Sequence, residues 1–128
     1  MFDEKLVEVA TALITHCRNG TEGEGLDTLY AEDCVSVEAA AMDGGGEVVH
    51  KGLAAIRAKH AWWDEHSEVH SFNAEGPFCH NPDRFSVIFE VDVTNAQMGG
   101  RMAFREVAVY TLRDGRIARE EFFFQLPG

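Results

Sequence analysis

Two glutamates near the C-terminus stand where side-chain alternation sets acids among large apolar residues. In Arg116–Gln125, Glu120, Phe122 and Phe124 share one face, and Arg119, Glu121 and Phe123 the other. In Arg101–Arg113, Phe104, Glu106, Ala108 and Tyr110 share a face opposite Ala103, Val107 and Val109. If Phe122 and Phe124 point inward, Glu120 does too, and the same phase turns Glu106 and Tyr110 toward it. Carboxyls crowded in an apolar enclosure cannot all ionise without compensation, so one of them holds a proton near neutral pH. That is acid/base chemistry, with Tyr110 orienting a substrate against Phe122 and Phe124. The competing expectation is that these glutamates pair with Arg57, Arg101 or Arg105, or that a bulge turns them to solvent.

Other reactive residue types offer less. His66 and His70 are four apart, but the helix that carries His66 ends between them and no HExxH pattern exists, so no metal site is expected. His66 is instead a candidate for a pocket mouth, beside Trp62 and Trp63, or a charged group that steadies the helix C-terminus. Helical neighbours point about 100° apart; Trp63 continues an apolar stripe and packs in the core, which leaves Trp62 either on the pocket wall as a ligand contact or partly exposed. Ser36 lies on the face of Glu38 without a nucleophile elbow or an activating histidine, and is read as a ligand contact. Asp43–Gly46 lacks the Lys-Ser/Thr of a phosphate loop and is expected to be a lip over the pocket. No cofactor motif is found.

The elements that position these residues follow from periodicity. Residues 2–18 carry apolar side chains at three- and four-residue spacing and stop at Asn19-Gly20, an amphipathic helix with its terminator. A short helix over Leu26–Glu32 leads into a strand over Cys34–Glu38, and Glu47–His50 reads as a brief strand. A third helix runs from Leu53 to about His66. Strands follow over Val69–Pro77, Arg84–Thr94, Arg101–Arg113 and Arg116–Gln125. This order predicts one α+β domain over residues 1–128, a curved antiparallel sheet packed by three N-terminal helices. The last two strands have apolar residues on both faces, so the sheet must be covered twice. The helices cover the concave side, and a second copy of the chain is expected on the convex side.

Composition narrows the partners. The 128 residues contain 22 acidic and 11 basic side chains, a formal charge of −11 that disfavours nucleic acid and anionic membranes. No apolar run is long enough to span a bilayer. The acidic N-terminus MFDEK is unlike a signal peptide, and three scattered cysteines form no disulfide framework, so a cytoplasmic protein is expected.

Three segments in order, Leu29–Val35, Gly52–Arg57 and Tyr110–Ile117 with Glu121-Phe122-Phe123, resemble the nuclear transport factor two-like superfamily and its SnoaL-like bacterial members. The resemblance spans essentially the whole chain. It implies a cystatin-like cone, usually dimeric, with a pocket between helices and sheet, on a fold that hosts isomerases, cyclases, dehydratases, hydrolases and binding domains. Counted from Tyr30, the general base of the related ketosteroid isomerase falls on Glu38, which adds a third carboxylate to Glu106 and Glu120. That enzyme's oxyanion-hole acid falls on Ala108 and its helix tyrosine near Ile14, so steroid isomerisation itself is rejected. The expectation is a cofactor-independent isomerase, dehydratase or cyclase acting on a small hydrophobic molecule, with Glu38, Glu106 and Glu120 catalytic. Its alternative is a non-catalytic ligand carrier.

Overall fold

A computed structural model describes residues 3–40 and 47–124; the Asp43–Gly46 segment and both chain ends, with Phe2 and Gln125, lie outside the described residues. Helix α1 (Glu4–Asn19) begins where the Asp3 carboxylate accepts from the amides of Lys5 and Leu6, and ends at Gly20, whose φ of 71° suits glycine. Its buried face is Leu6, Val9, Ala10, Leu13 and Ile14.

Helix α2 spans Glu22–Leu29, earlier than its apolar residues suggest. Gly23 and Gly25 argue against a helix by propensity. Tertiary packing outweighs that preference: Gly25 is buried against the His16 ring of α1, and Leu26 is buried beside it. Strand β1 (Tyr30–Val37) starts immediately afterwards, four residues before the expected Cys34. Next come β2 (Val49–Lys51) and helix α3 (Leu53–His66). Four long strands complete the chain: β3 (Ser67–His80), β4 (Arg84–Asn95), β5 (Gly100–Arg113) and β6 (Arg116–Phe123).

The six strands form one curved, unclosed sheet in the order β2-β1-β6-β5-β4-β3. It is antiparallel except where β1 runs parallel to β6, with Ser36 opposite Glu120. The sheet is thus mostly antiparallel, as expected, and the parallel pairing sets the β1 side chains beside those of β6. Phe85, Val87, Phe89, Val91 and Val93 of β4 alternate into the core beneath α1. Fully burying a side chain of this size contributes about 1.5–3 kcal/mol. Among the described residues no helix is long and apolar enough to cross a membrane.

Candidate functional site

A cavity of about 1080 Å³ opens between the helices and the concave face of the sheet. Period-two alternation aims Phe104, Glu106 and Tyr110 of β5, and Glu120 and Phe122 of β6, into it, with Phe124 just beyond β6. Its walls are aromatic. Phe104 meets Phe124 with ring centroids 5.6 Å apart, and Phe72 of β3 meets Phe89 of β4 at the same separation.

The polar end of the cavity is organised by Lys59, a residue the sequence reading did not single out. Its side chain is 7% exposed. The ammonium donates to Ser36 Oγ at 2.7 Å and to Glu38 Oε1 at 2.6 Å, and lies 3.6 Å from Glu120 Oε1. It also stands 4.8 Å from the centroid of the Phe122 ring, a cation–π contact. Two carboxylates, a hydroxyl and an aromatic face thus surround one buried cation, the compensation that a charge removed from water needs. A signal for it existed: on α3, Lys59 stands three residues after Ile56 and four before Trp63, inside the apolar stripe.

Glu120 is almost wholly buried. Its Oε2 accepts from the Tyr30 hydroxyl at 2.5 Å, while Oε1 receives no hydrogen bond within the described structure. Burial, and then the Glu120 charge, raise the Tyr30 phenol well above its ordinary value, so it stays a donor. Burial is likewise the main cause that raises Tyr110, and the Cys17 thiol goes up to about 12.

Glu106 differs from the other two acids. No hydrogen bond or ion pair from a described residue reaches its carboxyl. Burial first, then the negative charge of Glu38, push it up to about 7, against the opposing pull of Lys59. It therefore exchanges its proton near neutrality, on the cavity surface.

The arginines weighed as alternative partners are engaged elsewhere. Arg57 pairs with Asp27, Arg101 with Asp92, and Arg105 with Glu75 and Glu90. Ser36 lies under Lys59, outside the cavity lining. Trp63 packs against the core and also lines the cavity. Trp62 and His66 do not line it; their rings stack 5.2 Å apart, and His66 Nδ1 meets the Trp62 carbonyl. The α3 face that carries Ile56, Lys59 and Trp63 turns to the sheet, which rotates Trp62 away. His70, on β3, meets Thr94 Oγ1 at 2.7 Å.

Comparison with known proteins places this geometry. The model of the SnoaL-like domain family matches residues 7–124. A crystal structure from Mesorhizobium loti, described both as a candidate SnoaL-like polyketide cyclase and as a carbohydrate phosphatase, is 34% identical. It covers 91% of this chain and 97% of its own, with a TM-score of 0.83. A nuclear transport factor two-like protein from Burkholderia xenovorans aligns at 20% identity over 95% of this chain and 90% of its own, with a TM-score of 0.74. A protein of cystatin-like fold from Xanthomonas campestris aligns at 16% identity over 94% and 91%, with a TM-score of 0.75. These last two share the fold. No protein with a curated description matches.

Proposed function

This chain belongs to the SnoaL-like domain family, and from that premise we propose that it is a proton-transferring enzyme of isomerase, dehydratase or cyclase type. Its substrate is a small hydrophobic molecule held in the aromatic cavity. The observation that carries this reading is Glu106: a carboxyl on the cavity wall, engaged by no described side chain, titrating at about 7. Glu38 and Glu120 act with it through Lys59, as the charged floor against which a substrate's polar group settles. The cyclase description of the Mesorhizobium loti relative agrees with a substrate of this kind. A second reading, a ligand carrier, draws on the same floor, because Lys59 and Tyr30 already engage Glu38 and Glu120.

One experiment separates the two. The neutral fluorophore N-phenyl-1-naphthylamine reports occupation of the cavity, and 2-tetralone in heavy water reports proton exchange at carbon by NMR. The enzyme reading expects fluorophore binding, exchange faster than in buffer, and a loss of ~100-fold in that rate in Glu106→Gln with binding retained. Binding without exchange leaves the carrier. Absence of both removes the pocket reading.

The convex face supports a homodimer as part of this proposal. Val107 and Phe123 face each other across β5 and β6, and Phe78 extends the apolar area on β3; all three are exposed in the single chain. A second copy covers them in this reading. Free thiols at Cys17, Cys34 and Cys79 suit the reducing cytoplasm, where we place the protein.

A further inference from the structure

A carboxyl that gives its proton to a substrate oxygen leaves the proton at carbon for another group to take. Most cavity residues are unsuited to that task. Glu38 and Glu120 flank the Lys59 ammonium, and Glu120 also accepts from Tyr30. The Cys17 thiol and the Tyr30 and Tyr110 phenols are raised far from neutrality and stay protonated.

His60 remains. It follows Lys59 on α3, is half-buried, and lines the same cavity as Glu106, from the helical wall rather than the sheet. No hydrogen bond or ion pair to a described residue occupies its ring. We infer that His60 is the catalytic base of this site, taking a proton from substrate carbon while Glu106 delivers its own to a substrate oxygen. The inference rests on the role proposed for Glu106.

The step balances without a co-reactant. In an enolisable ketone the C–H bond beside the carbonyl breaks, and its proton passes to the imidazole. The electron pair becomes the new C=C bond, and the carbonyl oxygen takes the Glu106 proton. In a β,γ-unsaturated ketone the enol is a conjugated dienol; return of the imidazole proton to the γ-carbon, as the enol oxygen gives its proton back to Glu106, completes an isomerisation. With a β-hydroxy ketone, protonation of the hydroxyl by Glu106 releases water instead.

The surroundings suit both roles. The charges acting on His60 are Glu22 of α2, Lys59 and Asp64 of α3, and Glu120 of β6; burial, with Lys59 acting in the same sense, outweighs the three acids and lowers its pKa, so the ring is neutral at pH 7. Those acting on Glu106 are Glu38, Lys59 and Glu120. A neutral imidazole and a protonated carboxyl therefore coexist slightly below pH 7, and the rate falls on either side.

The test is 2-tetralone exchange by the full chain across pH 5–9, for wild type, His60→Asn and His60→Ala, each checked for fluorophore binding. The expected result is a bell-shaped wild-type profile and a loss of ~100-fold in both variants with binding retained. Added imidazole should restore part of the His60→Ala rate. A wild-type rate and profile in His60→Asn overturns the assignment and leaves Glu106 standing. So does a His60→Ala defect that imidazole does not relieve. Absence of exchange in wild type overturns the Glu106 reading first, before any His60 variant is compared.

Discussion

The Tyr30 hydroxyl donates to Glu120 Oε2 over 2.5 Å, joining the first residue of β1 to β6 across ninety positions of sequence. The two strands run parallel, and both side chains reach the cavity from their own strand. An acid in this place needs its donors, because among the described residues its other oxygen receives no hydrogen bond and lies 3.6 Å from the Lys59 ammonium. Tyr30 therefore ties the fold to the site: the phenol that orients Glu120 also belongs to the hydrophobic core.

Tyr30→Phe keeps the ring and removes that donor, leaving a buried carboxylate oxygen unsatisfied. The expected loss is about 1–3 kcal/mol in urea unfolding. A change of a few tenths would mean that Glu120 finds another donor and that the contact is incidental.

Lys59→Met removes the cation and leaves two acids facing each other in the cavity floor. Breaking a buried pair from one side costs about 3–5 kcal/mol. The triple variant Lys59→Met, Glu38→Gln, Glu120→Gln should recover much of that loss, since no uncompensated charge remains. Equal instability of the single and triple variants in thermal melting would show that Lys59 acts by packing alone.

What the sequence makes legible is what has a local period. Alternation in β5 and β6 is enough to turn Phe104, Glu106, Tyr110, Glu120, Phe122 and Phe124 into one hollow, because a strand offers a side chain only two directions. The parallel β1–β6 contact has no such signature, since it pairs Tyr30 with Ile117 and Ser36 with Glu120, segments far apart in the chain with no local turn to set their register. Lys59 was hidden for a related reason. A lysine in an apolar stripe reads as a solvated interruption until Ser36 of β1, Glu38 just beyond it and Glu120 of β6 are brought around it. The doublet Trp62-Trp63 stays ambiguous in sequence because helical phase says that the rings diverge, not which of them meets the cavity.

Phe123→Glu places a charge on the convex face opposite Val107. If a second copy covers that face, the variant sediments as a monomer while wild type sediments as a dimer. The concave cavity is untouched, so fluorophore binding should persist. A monomeric wild type, or a dimeric Phe123→Glu protein, removes this face as the interface.

Glu106 makes stability depend on pH in a direction opposite to that of a paired carboxylate. Folding raises it from 4.5 to about 7, chiefly by burial. Between these values the folded chain holds a proton that the unfolded chain has released, so stability falls as pH rises through the window. Below 4.5 both states are protonated and the penalty is absent. Above 7 it is complete, up to about 3 kcal/mol. Glu106→Gln cannot ionise and escapes the penalty. Urea unfolding should find the variant close to wild type at pH 4.5 and more stable than wild type at pH 8. Wild type gaining on the variant between those two pH values would mean that the carboxylate is stabilised in place, and that Glu106 does not hold a proton near neutrality.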